Sequence, residues 1–311
     1  MRIAFFWNDG RADPWVKGFQ DILPQAEIVP WKAGDTKAGE VPADYAVVWA
    51  PSQAFLDAQP KLKGIFNMGA GVDALLKLRL PANVPVVRLD DAGMSVQMAE
   101  YVCQAVIRHF RELDAYEADA RAGKWTFRKP NLRADFPVGI MGLGVLGERV
   151  AKALTAFEFP VLGWSRTAKV IDGVQCFAGE AQFNDFLAAT RVLVCLMPLT
   201  PQTTNIMNRD TLSRLKPGAF VVNVARGAHL VEEDLLALLE SGHVTGATLD
   251  VFRTEPLPAG HAFWSHPRIT VTPHTSARTL REETIAQIAG KIAAMERGEF
   301  ITGVVDLSRG Y

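Results

Sequence analysis

Val138-Gly139-Ile140-Met141-Gly142-Leu143-Gly144-Val145-Leu146-Gly147 sets the fold class. Four strand-like residues run straight into GxGxxG, and a helical pattern follows over residues 148–156. The first glycine permits a tight turn, the second lets backbone approach a pyrophosphate, and the third lets helix and strand pack closely. The helix N-terminus adds N–H groups and a dipole that favour an anion. Glycines punctuate many turns, so the motif carries weight because a strand and a helix flank it. Together they predict a dinucleotide site. An NAD site usually has a carboxylate at the end of the next strand, on the ribose. Here the chain reads Gly163-Trp164-Ser165-Arg166-Thr167-Ala168-Lys169, with no carboxylate before Asp172. Arg166 can pair with a 2′-phosphate and Ser165 can hydrogen-bond it; the other reading of Arg166 is a solvated loop cation. The expected cofactor is NADP(H), with NAD(H) the lesser alternative.

The same alternation fills the rest of the chain. Residues 3–6, 45–49, 64–66 and 84–87 read as buried strands before the motif, and 160–164, 191–196, 219–224, 245–249 and 269–271 after it. Helical patterns occupy 13–23, 72–78, 232–240 and 280–297, the last ending at Gly298. Strands alternating with helices predict parallel sheets covered on both faces. Ala99, Val102, Val106, Ile107, Phe110 and Leu113 recur at helical spacing, so one long helix is expected over about 97–121, stopped by Gly123. Residues 124–136 read as a loop. The 311 residues suit about two domains.

Lys plus Arg number 33 and Asp plus Glu 34, a formal charge of −1. Nucleic-acid and membrane-surface binders normally carry a basic excess, so neither partner is expected. Cys103, Cys176 and Cys195 lack CxxC spacing, which argues against a disulfide framework or a metal site. The opening apolar run is too short for a signal peptide. No stretch approaches the roughly 18 apolar residues that mark a membrane span. The expected compartment is the cytoplasm.

Three further residues follow strands, where open α/β sheets place ligands. They are Arg226 in Val222-Asn223-Val224-Ala225-Arg226-Gly227, Glu255 in Leu249-Asp250-Val251-Phe252-Arg253-Thr254-Glu255-Pro256, and His274 in Val271-Thr272-Pro273-His274. An arginine grips a carboxylate in bidentate fashion. A histidine passes a proton near neutral pH, and a carboxylate beside it favours its charged form. The set suits a 2-keto or 2-hydroxy acid. There are six histidines, at 109, 229, 243, 261, 266 and 274. Spacing alone does not select His274; its company with a dinucleotide fold does.

Over nearly its whole length the chain resembles the D-isomer-specific 2-hydroxyacid dehydrogenases, most closely their bacterial glyoxylate/hydroxypyruvate-reducing members. The resemblance rests on Met68-Gly69-Ala70-Gly71-Val72-Asp73, the glycine motif at 142–147, Trp164-Ser165-Arg166-Thr167, Asn223-Val224-Ala225-Arg226-Gly227, Leu249-Asp250-Val251-Phe252, Glu255-Pro256-Leu257-Pro258, Thr272-Pro273-His274 and Arg309-Gly310-Tyr311. It implies an α/β fold of two Rossmann-like or flavodoxin-like parallel-sheet domains with an active-site cleft between them. Residues 1–98 with 280–311 would form the substrate domain and 99–279 the NADP-binding domain, the long helix connecting them. Arg226 would bind the substrate carboxylate and carbonyl oxygen. His274 would be the acid/base, with Glu255 on its ring. Backbone N–H groups of Ala70 and Gly71 would hold the substrate carboxylate, and Asp250 the nicotinamide end. Leu196 and Pro198 would border the adenosine. Gly142, Gly144, Val145, Leu146, Gly147, Ser165, Arg166, Thr167, Val224 and Arg226 would complete the cofactor contacts. Trp49 either lines a small substrate pocket or is a core residue. Arg278 stands where relatives carry a small glycine-containing run, and faces substrate or solvent. The implied activity is NADPH-dependent reduction of glyoxylate to glycolate and of hydroxypyruvate to D-glycerate by a homodimer. The alternatives are a bulkier 2-keto acid such as phenylpyruvate, or a dinucleotide-sensing, corepressor-like protein.

Overall fold

The structure is a computed structural model that describes residues 1–7, 12–31 and 42–311. It divides into two units, Met1–Met94 with Thr279–Tyr311, and Ser95–Arg278. In chain order the first unit holds β1 (Arg2–Phe6), α1 (Asp13–Ile22), β2 (Glu27–Trp31), β3 (Tyr45–Val48), α2 (Gln53–Asp57), β4 (Gly64–Asn67) and β5 (Val86–Val87). Then come α3 (Met94–Phe110), which opens at the boundary, α4 (Leu113–Arg121), β6 (Val138–Met141), α5 (Val145–Ala156), β7 (Val161–Ser165), β8 (Val174–Ala178), α6 (Phe183–Ala189) and β9 (Val192–Cys195). The second unit continues with α7 (Arg209–Ser213), β10 (Ala219–Asn223), α8 (Glu232–Glu240), β11 (Val244–Leu249) and β12 (Ile269–Val271). The chain returns to the first unit as α9 (Arg281–Glu296).

The first sheet has the order β2-β1-β3-β4-β5, parallel throughout, which is the flavodoxin-like arrangement. Its inner strands β1, β3 and β4 are almost wholly buried because helices cover both faces. Phe6 of β1 meets Phe55 of α2, with ring centroids 5.0 Å apart, while Phe5 meets Phe19 of α1 at 6.1 Å. Gly18 lets α1 close on α9, since a Cβ there would lie 2.6 Å from Ile285 Cδ1.

The second sheet runs β12-β11-β10-β9-β6-β7-β8, also parallel. Its first six strands in chain order, β6 to β11, follow the Rossmann order, so a ligand crevice is expected where β6 and β9 lie side by side. Val138, Ile140 and Val194 pack with Val102 and Val106 of α3 and Val150 and Leu154 of α5. Met141, Leu193 and Cys195 pack with Phe186 of α6 and Leu235 and Leu239 of α8. Among the described residues no helix is long and apolar enough to cross a membrane.

The expected single helix over 97–121 is two. Glu112 adopts a left-handed φ of 54° between α3 and α4. Arg108 near the end of α3 then reaches the new helix, donating to Asp114 at 2.6 Å and to both oxygens of Glu117 at 2.7 and 2.6 Å. The helical pattern at 72–78 yields only a three-residue 3-10 turn, Leu75–Lys77. Absent from the sequence reading are β2, β8, α2, α6 and α7. The two strands are half-buried and flank their neighbours from the outer side, so neither shows a continuous apolar run. The three helices are too short for a helical period to show.

Candidate active site

Arg226, Glu255 and His274 each follow a strand of the second sheet: β10, β11 and β12. The strand ends dictate how the loops leave. Asn223, buried at the end of β10, donates its amide to the Arg226 carbonyl at 3.0 Å and accepts the Ala225 N–H at 3.2 Å. The Arg226 guanidinium donates to the Ala225 carbonyl at 2.7 Å. At Gly227 an added Cβ would lie 1.9 Å from the Phe252 carbonyl carbon, so only glycine lets this loop lie against the loop after β11. In that second loop the Phe252 N–H donates to Glu255 Oε1 at 2.9 Å. Glu255 Oε2 lies 2.8 Å from His274 Nδ1. An unbroken line of contacts therefore joins the Arg226 loop to the His274 ring.

His274 itself is held in a conformation that L-residues rarely adopt, with φ 55°. Such backbone persists when its surroundings over-determine it. Its N–H donates to the Asp250 carbonyl at 2.8 Å. The Asp250 carboxylate, fully buried, accepts the Thr272 hydroxyl at 2.6 Å and the N–H groups of Thr275 and Ser276, each at 2.8 Å. The Thr272 hydroxyl in turn meets the Tyr101 hydroxyl from α3. Burial, helped by the Asp250 charge, pushes the Tyr101 phenol up to about 12, so it stays protonated and donates. Through these contacts Asp250 braces the loop that carries His274 from within. The side chains of His274 and Glu255 are 46% and 37% exposed, so the pair is open to a solute while its brace is not.

The glycine motif has the shape that a pyrophosphate needs. Gly142 turns at φ 100°, and a Cβ there would stand 2.8 Å from the Leu196 carbonyl oxygen. A Cβ on Gly147 would fall 1.9 Å from the Gly142 oxygen, which is the close helix–strand approach. Gly144, by contrast, faces open space, with nothing within 4 Å of a Cβ. Backbone can be approached there, at the N-terminus of α5, where the first-turn N–H groups point outward. Val145 is exposed and Leu146 half-buried on that turn. Leu196 and Pro198 follow β9, beside the Gly142 turn, and Val224 is buried after β10. Ser165, the last residue of β7, donates to the Thr167 carbonyl at 2.8 Å, and Arg166 and Thr167 beyond it are exposed. Cys195, at the end of β9, is fully buried, and burial pushes its thiol up to about 12. It is a core residue, not an accessible thiolate.

In the first unit, Asn67 ends β4 and is buried. Its amide donates to the carbonyls of Gly69 at 3.0 Å and Gly71 at 2.9 Å, fixing the loop that contains Ala70 and Gly71. The Trp49 ring lies on this loop, 2.5 Å from where a Gly69 Cβ would be, and is 42% exposed. It packs on a glycine at the surface and is not a core tryptophan. The Arg278 side chain is exposed, while its backbone is clasped by the Gln97 amide.

Residues 103–276 match the D-isomer specific 2-hydroxyacid dehydrogenase NAD binding domain. The chain belongs to the D-isomer specific 2-hydroxyacid dehydrogenase family. Over the full length of both proteins it is 48% identical to glyoxylate/hydroxypyruvate reductase A of Yersinia enterocolitica and 47% identical to that of Serratia proteamaculans. Among solved structures, it matches a D-isomer specific 2-hydroxyacid dehydrogenase of Xanthobacter autotrophicus, in complex with NADPH and MES, at 39% identity and a TM-score of 0.94, covering 100% of this chain and 99% of that one. It matches an NADPH-dependent glyoxylate/hydroxypyruvate reductase of Sinorhizobium meliloti, in complex with NADP and sulfate, at 35% identity and a TM-score of 0.93, covering 100% of each.

In this dehydrogenase several residues of the site were given no role in the sequence reading. Asn67 and Asn223 each end an apolar strand, and a polar residue in that place was a usable signal. Tyr101 and Thr272 had none, because their meeting depends on how α3 packs behind the loop after β12. His229, buried beside Arg226, was one of six histidines with no local mark to single it out.

Proposed function

We propose that this dehydrogenase reduces glyoxylate to glycolate and hydroxypyruvate to D-glycerate with NADPH. The observation that carries the reading is the 2.8 Å His274–Glu255 pair, joined through the Phe252 and Gly227 backbone to the Arg226 loop. Full-length similarity to reductases of this name supports the substrate class. The open face at Gly144 supports a dinucleotide, and the exposed Arg166, with no carboxylate in its turn, supports NADP(H) over NAD(H). Gly142, Gly144 and Gly147 would cradle the pyrophosphate, and Ser165, Arg166 and Thr167 the 2′-phosphate. When bound, NADPH supplies the hydride.

The protein's own residues do the rest. The N–H groups of Ala70 and Gly71 hold the substrate carboxylate. Arg226 grips the keto acid and stabilises negative charge that builds on its carbonyl oxygen. Nδ1–H of the protonated His274 ring donates to Glu255, which leaves Nε2–H as the proton delivered to that oxygen. Asp250 keeps the His274 loop in place from behind. Trp49, over Gly69, limits the pocket to small acids.

We further propose a cytoplasmic homodimer. Trp125, Phe127 and Leu132 all stand in solvent on one short segment, with Trp125 wholly exposed and Phe127 89% exposed. Monomers seldom leave such a patch uncovered. The three cysteines are unpaired, as suits a reducing compartment. The deciding experiment follows NADPH oxidation with glyoxylate, hydroxypyruvate and phenylpyruvate, NADH in parallel. Fast turnover of the two small acids with NADPH alone is expected. Preference for phenylpyruvate, or equal rates with NADH, would overturn the substrate or the cofactor assignment respectively. Light scattering on the eluting protein reads the oligomer.

A further inference from the structure

Among the described residues His229 is the one fully buried histidine. It closes the short 3-10 turn Gly227–His229 that follows Arg226. Its Nδ1 lies 3.2 Å from the Arg226 main-chain nitrogen, and its Nε2 lies 3.3 Å from the Pro198 carbonyl oxygen. A main-chain N–H only donates and a carbonyl only accepts. The ring that satisfies both is neutral, bare at Nδ1 and protonated at Nε2. The Arg226 carbonyl also lies near Nδ1, at 3.1 Å, but it already accepts from the Asn223 amide at 3.0 Å and the His229 N–H at 3.2 Å.

The turn does not need the ring to keep its path. Asn205 N–H donates to the Ala228 carbonyl at 2.9 Å and Met207 N–H to the His229 carbonyl at 2.8 Å, which fixes its outer side. The ring spans the inner side, from the peptide that carries the Arg226 side chain to the loop after β9.

We propose that His229 is a positioning residue, a neutral clamp that holds the Arg226 main chain at Nδ1 and the Pro198 loop at Nε2. The Nδ1 contact sets the grip of Arg226 on the keto acid. The Nε2 contact sets the loop that borders the cofactor. This rests on the roles given to Arg226 and the Pro198 loop in the proposed function.

The two halves can be cut separately. In His229→Asn the side-chain oxygen takes the place of Nδ1, and nothing reaches Pro198. In His229→Gln the amide nitrogen takes the place of Nε2, and the acceptor for Arg226 N–H is lost. His229→Leu loses both. Each variant is assayed for keto-acid KM and kcat, for NADPH affinity by fluorescence titration, and for thermal unfolding. A lost buried hydrogen bond of this kind corresponds to about tenfold. His229→Gln is expected to raise the KM for glyoxylate about tenfold while NADPH affinity holds. His229→Asn is expected to do the reverse, and His229→Leu to lose on both. A purely structural histidine would lower the melting temperature in all three without this split. Equal behaviour of the Asn and Gln variants, or unchanged constants in the Leu variant, overturns the proposal. If the wild type reduces neither small keto acid, the functional reading fails. The NADPH titrations of the Asn and Gln variants then still decide the clamp.

Discussion

With Nδ1 of His274 against a Glu255 oxygen at 2.8 Å, the ring has one nitrogen left to serve a bound carbonyl. His274→Ala is therefore expected to lower kcat by about a hundredfold or more, the usual worth of a positioned acid, with NADPH affinity unchanged. A matching loss in fluorescence-titrated NADPH affinity would remove His274 from the chemistry. Glu255→Gln keeps an oxygen for the Phe252 N–H yet puts no full charge beside the ring, so the loss falls on kcat with little change in keto-acid KM. Arg166 is tested in the cofactor instead. Removing a charge-assisted contact to a phosphate costs about 2 kcal/mol. Arg166→Ala should lose that much affinity for NADPH and almost none for NADH; equal losses would return Arg166 to the role of a solvated loop cation.

In α3, His109 lies flat on Phe220 of β10, with ring centroids 4.1 Å apart and planes 14° apart. Its Nε2 is buried without a partner among the described residues. Burial first, and the Arg191 charge second, push this imidazole down to about 4. The unfolded chain, with an ordinary histidine near 6.5, binds more protons between those values. Stability is thus complete above pH 6.5 and falls as pH drops towards 4. On the order of 3 kcal/mol is at stake across that window. His109→Phe keeps the stack and should lose this part of the acid sensitivity, read by denaturant unfolding at pH 7 and at about pH 5. An identical fall in both proteins would show that other groups carry it. His109 also shows what the sequence left open. The apolar face of α3 was legible from Val102, Val106 and Phe110, because burial imposes a helical period. The break at Glu112 was not, because nothing at that position forbids a helix; tertiary pairing of Arg108 with Glu117 repays it. The glycine turn and the three strand-end residues were legible because each requires a residue type at a fixed place. The Asp250 brace was not, since it depends on where Thr272, Thr275 and Ser276 fold back to.

Each of the two units has a core of its own. Ala4, Phe6, Val48, Phe55 and Val86 share one, with Val305 from the end of the chain. The buried residues of two further clusters all fall between 98 and 263. The chain thus leaves the first unit at Met94, builds Ser95–Arg278 as an insertion, and returns at Thr279. Entry and exit of the insertion are tied at one place: the Gln97 amide donates to the Arg278 carbonyl at 2.8 Å and accepts the Arg278 N–H at 3.3 Å. A segment with its own sheet, its own core and its ends clasped together has what independent folding requires. Residues 95–278 expressed alone should unfold cooperatively and bind NADPH about as well as the full chain, since every residue proposed for the cofactor lies within them. At a hundredfold excess over the dissociation constant, NADPH should stabilise this fragment by about 2.7 kcal/mol, read as a shift in its unfolding midpoint. It should reduce no keto acid, because Ala70 and Gly71 are missing. A fragment that folds but gains nothing from NADPH would place essential cofactor contacts in the first unit. One that fails to fold would show that the two cores are not energetically separate.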